Sequence, residues 1–502
     1  MANVQLTGAA PARAIPLPQL AAPARRFPLA AWCLVALVAF AAYHLWLAHT
    51  MRHTGLELGV VRPGTRVYRL VPLYMYVRLH LKAWLVVAVA ACAGVWHWHR
   101  CIQTREQSSS GATMVAWLML IHGGLACAVA LIDGGIDRLW RPYALLAATD
   151  YIGAVPQVQS PGWFLANYVA LLPELPMHCQ THPPGGPLFL WLVSQVFGPG
   201  PIPAAVASIA VGTLAMPAVW GLARCVLPWC GAALCGAALA CLLFALAPCI
   251  VLFTATGMDI VFSVPMIWTF YLMWQARTFA REGGSIARPM LWGAAGGFAA
   301  SLAALMTFSA AFLVFWAVAV AVLTLCFDRK RLQATLAGWI AAAVTASLFY
   351  GLLYLATGYN LIETLLACTQ RHVEIMDGGN YGSWRQYAHL VVGNLAAFLF
   401  CVGLPLAVLW LRQTWLDLKR ATRDDAWLLG TSFGLALAVL VLSPIHTLEV
   451  EHIWLYMVPL VAIAAVRSLQ SLGDDDGRVA SWAVLLLMVQ SVAMEACLTT
   501  NW

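Results

Sequence analysis

From residue 28 onward the chain alternates long apolar runs with short polar breaks. Runs near 28 to 48, 83 to 98, 114 to 133, 204 to 223, 231 to 252, 260 to 276, 289 to 307, 309 to 327, 335 to 357, 389 to 411, 426 to 443, 453 to 466 and 481 to 497 approach or reach the roughly 17 to 25 residues that a helix needs to cross a bilayer. A further block, 187 to 198, makes only about 18 Å of helix against a hydrocarbon core of roughly 30 Å, so a partial or re-entrant helix is expected there. The pattern predicts an all-α polytopic membrane protein with about 13 transmembrane helices and one short partial helix.

Composition removes the soluble alternative. Of 502 residues, 62% are hydrophobic and only 10% charged, against about a quarter charged in soluble domains. The balance of 28 basic to 21 acidic residues, a net +7, reads as loop charge that orients the spans, and no nucleic-acid partner is expected. The cysteines form no CxxC pair and fall mostly inside apolar blocks, as Cys230, Cys235, Cys241 and Cys249 do, so they read as packing residues. Residues 1 to 27 are rich in Ala and Pro and carry Arg13, Arg25 and Arg26 ahead of a full-length span. They read as a disordered cytoplasmic tail and not as a cleavable signal.

Lys and Arg favour cytoplasmic loops. With the N-terminus inside, 18 of the 28 basic residues fall inside, among them Arg277, Arg281, Arg288, Arg329, Lys330, Arg331, Arg412, Lys419, Arg420 and Arg423. The loop 49 to 82, with Arg52, Arg62, Arg66, Arg69, Arg78 and Lys82, runs against the rule. The outer face then receives two long loops, 134 to 185 and 358 to 388, and two short ones, 253 to 259 and 444 to 452. The chain divides into the tail, N-terminal spans over 28 to 113, a central module over 114 to 276 and a C-terminal transmembrane region over 277 to 502. No period of roughly 20 to 50 residues repeats, and no matched pair of broken helices of the inverted-repeat transporter kind is evident. The spacings Gly293/Gly297 and Gly430/Gly434 read as ordinary helix contacts.

Ionisable groups are costly in hydrocarbon, by roughly 2.5 to 3.5 kcal/mol on insertion scales. Glu495 is the single acid within a predicted span, whereas Glu57, Asp133, Asp137, Asp150, Glu174, Asp259, Glu363, Glu374, Asp377, Glu449 and Glu451 gather on the outer side or its border. That distribution suits chemistry at the outer interface better than an ion path. The stretch Asp133 to Gly186 is the richest, and within it FLANYVALLPEL, from Phe164, has the apolar spacing of a helix lying flat on the membrane. Thr181, His182, Pro183, Pro184, Gly185 and Gly186 precede the short apolar block. Prolines start a helix without wasting amide donors, glycines permit close approach of a ligand, and the helix start favours an anion, to which His182 adds a donor or a charge. The alternative is a plain turn into a membrane helix.

Asp150, followed by Tyr151, either takes a proton from an acceptor hydroxyl as a general base or caps a turn. Asp137 is the second candidate, unless an ion pair with Arg138 or Arg141 makes it structural. Asp259 either caps the helix from 260 or reaches into a site between loops. Arg371, His372 and Arg385 bring positive charge to an outer loop beside Glu374 and Asp377, suited to phosphate or to plain solvent exposure. The last outer loop holds Glu449, Glu451, His452 and Trp454, which suit a sugar hydroxyl, a divalent cation or an interface anchor.

The order of these features resembles the C-type fold of integral-membrane glycosyltransferases, in particular bacterial enzymes that use polyprenyl-phosphate sugars, such as the protein-mannosyltransferase and aminoarabinose-transferase relatives. The likeness is best over 114 to 276: a span, a long outer loop with Asp150, THPPGG at Thr181 to Gly186, LFLWLVSQVFG ending at Gly198, then two spans and Asp259. It implies a GT-C-like fold with Asp150 as base, His182 at the lipid-linked phosphate and Asp259 in support. A single Asp followed by Tyr stands where the family usually has an acidic pair, and two extra spans precede the matching region.

The resemblance implies a glycosyltransferase that moves a hexose or pentose from a polyprenyl-phosphate donor to a glycan, lipid or protein acceptor. It places the active site on the periplasmic side of a bacterial inner membrane. Asp150 and Asp137 are the catalytic candidates; His182, Gly185, Gly186, Arg371 and Arg385 the phosphate-binding ones; Asp259, Tyr151, Glu449, Glu451 and His452 the supporting set. No cofactor is required, with a divalent metal as an option. The competing classes are a transporter or lipid flippase of envelope glycoconjugates, and a noncatalytic scaffold.

Overall fold

The computed structural model describes residues 27–54, 72–73, 75–79, 83–104, 111–145, 149–227, 236–279, 285–375, 383–419, 423–443, 449–474 and 477–500. Apart from Phe27, the predicted tail lies outside them, as do Asp377, Cys230 and Cys235. The chain is an all-α, multi-spanning protein. Two residues of strand, Tyr76–Val77, pair antiparallel with Leu498–Thr499 and are the single departure from helix and turn among the described residues.

Nine helices among the described residues are long and apolar enough to cross a membrane: Leu29–Thr54, Leu85–Ile102, Gly111–Gly134, Pro201–Val226, Ala287–Met306, Phe308–Phe327, Arg329–Thr357, Asp425–Leu442 and Arg478–Cys497. Two bent pairs raise that to eleven, beside thirteen runs in the sequence. The short block is a helix over Gly185–Phe197, ended by Gly198 at φ 88°. Every residue of Gly236–Leu246 is buried, so this helix sits at the centre of the bundle. Leu29–Thr54 instead turns most of its apolar side chains outward and forms part of the lipid-facing rim.

Two of the runs read as straight spans are broken. The run 231 to 252 divides into Gly236–Leu246 and Pro248–Thr254, bent by 61°, because Pro248 has no N–H and pushes Ala247 out of the helical region, to ψ 128°. The run 389 to 411 divides into Trp384–Cys401 and Leu404–Lys419, bent by 114° at Gly403, whose φ of 104° suits glycine alone. The breaks touch, since a Cβ on Gly403 would collide with Leu487 and Pro248. Discontinuous helices are therefore present, at two positions that the apolar pattern reads as straight spans.

A break inside hydrocarbon frees backbone groups that water cannot reach. Adjacent residues of the last helix take them up. Gln490 Nε2 donates to the Phe400 carbonyl at 2.8 Å, and its Oε1 accepts from the Leu404 N–H at 2.9 Å. Ser491 Oγ donates to the Leu246 carbonyl at 3.3 Å.

Polar side chains collect at the two ends of the bundle. At one end Arg277 pairs with Asp328 at 2.6 Å and Asp425 at 2.9 Å, Arg331 joins Asp425, and Arg467 reaches Asp424 at 2.8 Å. These groups come from loops read as cytoplasmic. At the other end Tyr143 approaches the Gly257 carbonyl, Asp259 meets His452, and Arg371 holds Gln180, which joins the four loops assigned to the outer face. Asp259 and Arg277 lie at opposite ends of the Asp259–Thr278 helix, about 27 Å apart at 1.5 Å per residue. Arg78, from the basic loop that runs against the charge rule, donates its backbone N–H to Cys497, at the same end of the last helix as Glu495.

Gly293 and Gly297 act as read: Cβ atoms there would strike the backbone of Gly338 and Ala342 on the neighbouring helix. Gly430 and Gly434 do not. A Cβ on Gly434 meets nothing within 4 Å, and one on Gly430 meets only Asp417, at 3.9 Å.

Replacing Gln490 by Leu keeps the volume, strands the Leu404 N–H at a cost of about 1–3 kcal/mol, and leaves the Phe400 carbonyl with the backbone N–H of Gly403, at 3.2 Å. Thermal unfolding of the detergent-solubilised protein is expected to shift clearly downward for Gln490→Leu, and an unchanged midpoint would refute the bridging role.

Candidate functional site

The outer loop 134 to 185 is folded throughout most of its length. Asp150 accepts the Tyr151 N–H at 2.7 Å and so starts the 3-10 turn Tyr151–Gln157. Ser160 caps the helix Pro161–Leu171, with proline in its first turn where no amide partner is lost. Phe164 and Tyr168 on that helix are fully buried, so its apolar face packs inward on protein. The Tyr168 hydroxyl lies 2.7 Å from the Cys179 carbonyl and 2.8 Å from that of His182, donating to this pair and fixing the turn before Gly185–Phe197.

The Tyr151 ring is the hub. It stands edge-on to His182 at 5.8 Å and to Phe262 at 5.2 Å, and lies 6.0 Å from His178. Gly186 leaves the space for it, since a Cβ there would meet the ring at 2.7 Å, and a Cβ on Gly185 would meet the Leu305 carbonyl at 2.5 Å. The close approach that these glycines permit is thus made by the protein's own groups. Burial, then the charges of Asp259 and Asp150, hold the Tyr151 phenol well above its ordinary range and therefore neutral.

Asp150 caps the turn and also faces His178, whose Nδ1 lies 3.8 Å from its Oδ1. Burial disfavours the His178 cation, but the Asp150 bond and charge, with Glu449 and Asp259, outweigh it and raise its pKa. Asp150 and His182 share the neighbourhood of Tyr151 and His178. His182 Nδ1 donates to the His178 carbonyl at 3.0 Å, which leaves Nε2 as an acceptor in the neutral ring. Burial, then the nearby His178 charge, lowers its pKa to about 4.

Asp259 is the meeting point of the short loops. Its Oδ2 lies 3.0 Å from His452 Nδ1, a contact spanning 193 residues of chain. His452 Nε2 stands 3.9 Å from Glu449. Burial works against the His452 cation, but Asp259, Glu449 and Glu451 raise its pKa to about 9. Glu449 is the single non-glycine residue at positive φ among the described residues, at 64°, a conformation that costs an L-residue about 1–2 kcal/mol. Glu451 is buried beside it.

Arg371 donates to Gln180 Oε1 at 2.6 Å and pairs with Glu374, so its charge is already engaged at the edge of the His178–His182 segment. Arg385 is exposed, and its charge acts on His389, which packs on Trp46 of the first helix. Asp137 is exposed as well, while its neighbour Arg138 turns to Asp133 at 3.2 Å, to Glu495 and to the Thr500 carbonyl. The site thus gathers Asp150, Tyr151, His182, Asp259, Glu449 and His452; nothing in the geometry ties Asp137 or Arg385 to it. Among the described residues no group of three or more His, Cys, Asp or Glu has metal-binding geometry. His178 is the residue that reading the sequence missed, and its signal was present in the four-residue spacing to His182, one helical turn.

No family model matches the sequence. No curated protein matches it. Among solved structures the chain is similar to ArnT from Cupriavidus metallidurans bound to undecaprenyl phosphate, at 17% identity and TM-score 0.45 over 72% of this chain. It is also similar to the Archaeoglobus fulgidus oligosaccharyltransferase tethered to an acceptor peptide, at 13% identity and TM-score 0.46 over 77% of this chain. A complex of that archaeal protein, AglB, with an inhibitory peptide and a dolichol-phosphate gives 14% and 0.43 over 76%. The chain spans 62% of the length of ArnT and 55–56% of the archaeal chains. At these values the likeness assigns no role to any residue.

The raised His452 pKa carries a sign. A group whose folded pKa lies above its unfolded value, about 6.5, stabilises fully below that value and loses the effect as pH rises through the folded one. Thermal stability in detergent is expected to fall between pH 6.5 and about 9 in the native protein, and this slope should flatten in His452→Gln. Parallel slopes in the two proteins would exclude the Asp259–His452 pair as its source.

Proposed function

We propose that this chain is a membrane glycosyltransferase that moves a sugar from a polyprenyl-phosphate donor to a glycan, lipid or protein acceptor at the outer face of a bacterial inner membrane. The observation that carries the reading is the convergence of Asp150 and His182, from the two ends of one long loop, and of Asp259, from a second loop, around the buried Tyr151 phenol. These are the residues whose order along the chain resembles the C-type family.

In the proposed reaction the acceptor hydroxyl oxygen bonds to the anomeric carbon while the bond from that carbon to the phosphate oxygen breaks. The hydroxyl proton passes to Asp150, and polyprenyl phosphate leaves with the electron pair, so configuration inverts. His178 stands against Asp150, its Nδ1 3.8 Å from Oδ1, and the carboxylate in turn raises the His178 pKa. Asp259 and Glu449 hold His452 charged, and this set lines the same end of the bundle. A neutral His182 presents an acceptor at Nε2, so it binds a phosphate oxygen only after taking up a proton.

The transporter or flippase reading gains one observation, the two touching helix breaks. The backbone groups freed at Phe400, Leu404 and Leu246 are nevertheless taken up by Gln490 and Ser491 and are not left for an ion or solute. The carboxylates of Asp150, Asp259 and Glu449 share one end of the bundle with the imidazoles of His178, His182 and His452, the mixture that a transferase needs.

Two measurements test the reading. Asp150→Asn is expected to keep expression and melting behaviour and to lower transfer from a lipid-linked sugar by roughly two to four orders of magnitude, the usual weight of acid–base catalysis; near-native turnover would remove Asp150 as base. Donor affinity is expected to rise as pH falls from 7 to 5, because binding draws a proton onto His182, and a phosphodiester donor does not itself titrate there. The slope should vanish in His182→Gln; its persistence would assign proton uptake elsewhere.

A further inference from the structure

Gly430 and Gly434, which make no helix contact, open onto a cavity of about 440 Å³ at the end of the bundle opposite Asp150. The cavity lies between the helices Leu404–Lys419, Asp425–Leu442 and Leu455–Ser471. Its polar end holds Gln413, Asp417, Arg423 and Arg467. Gln413 is 1% exposed, and its Nε2 donates to Asp417 at 2.8 Å, while Oε1 has no hydrogen-bond partner among the described residues. The Arg467 side chain is 8% exposed; its Nη2 binds Asp424 at 2.8 Å and lies 3.6 Å from Asp417, while Nη1 likewise has no partner. One buried donor and one buried acceptor are thus left over on the wall of one cavity.

The leftover atoms define a ligand. Arg467 Nη1 calls for an anionic oxygen and Gln413 Oε1, beside the Asp417 carboxylate, for an N–H donor. The two arginines are matched by Asp417 and Asp424, so the site suits a ligand that carries both charges and has no net one. Leu418 and Leu435 on the rim are 77% and 48% exposed, which turns the mouth toward hydrocarbon. Arg423, over the rings of Phe327 and Trp427, marks the headgroup level beside it.

We propose that this cavity binds a zwitterionic phospholipid with a protonated primary amine, an aminoethyl-phosphate headgroup, taken from the leaflet opposite the Asp150 site. The phosphate sits on Arg467 and Arg423, the ammonium on Gln413 Oε1 and Asp417, and an acyl chain runs along the open groove at Gly430 and Gly434. A quaternary ammonium cannot donate to Gln413. A headgroup with net negative charge meets Asp417 and Asp424 without an ammonium to offset them.

The test uses the full-length protein, purified in detergent and stripped of lipid, in native mass spectrometry with dioleoyl lipids bearing ethanolamine, choline or glycerol headgroups. The ethanolamine lipid is expected to bind about tenfold more tightly than the other two. Gly434→Leu, which fills open space and improves helix propensity, should lower that affinity about tenfold with no loss of thermal stability. Gln413→Leu should remove the preference for ethanolamine over choline. Equal binding of all three lipids, unchanged binding in Gly434→Leu, or a preference for polyprenyl phosphate over the ethanolamine lipid that Gly434→Leu abolishes would each overturn the proposal. If Gln413→Leu does not fold, Gly434→Leu decides.

Discussion

Hydrocarbon offers no hydrogen-bond partner, and that constraint arranges this molecule. Charged side chains are driven to the two ends of the bundle, where loops of distant sequence meet and neutralise one another. Arg277 bridges Asp328 and Asp425 at one end; Asp259 meets His452 at the other. Glu495, the acid that the sequence placed inside a span, obeys the same rule: it sits near the end of the last helix, accepting from Thr500 at 2.6 Å and close to Arg138. Backbone groups have no such escape, so the two helix breaks survive only where neighbouring side chains supply the missing bonds.

The outer site follows from packing as much as from charge. Tyr151 is wedged against Gly186, Phe262 and two imidazoles, which sets the distance between Asp150 and the His178–His182 segment. The helix Pro161–Leu171 locks the same segment through the Tyr168 hydroxyl. Glu449 is held at positive φ beside His452, and strain of this kind persists only where the surroundings over-determine it. The result is a surface rich in carboxylates, with its cations supplied by histidines whose charge depends on those carboxylates.

The grouping of loops was legible in the sequence, because span lengths and loop charge are local quantities: the four loops assigned to one face do meet. Asp150, the THPPGG stretch and Asp259, singled out in the sequence, lie close to Tyr151 in the fold. The breaks at Ala247 and Gly403 were not read, since apolar periodicity runs straight through both and their stability rests on Gln490, far away in sequence. The glycines misled for a related reason. Whether a glycine admits a ligand, a ring or empty space depends on its neighbour: at Gly186 it is Tyr151, at Gly297 a helix backbone, at Gly434 nothing.

Gln490 and Ser491 sit on the last helix, yet the carbonyls and amide they serve belong to Leu246, Phe400 and Leu404. A ribosome delivers those acceptors long before the residues that satisfy them. The helix Arg478–Cys497 acts as a keystone for both breaks, whose bonding is complete only once it packs against segments that precede it by as many as 245 residues.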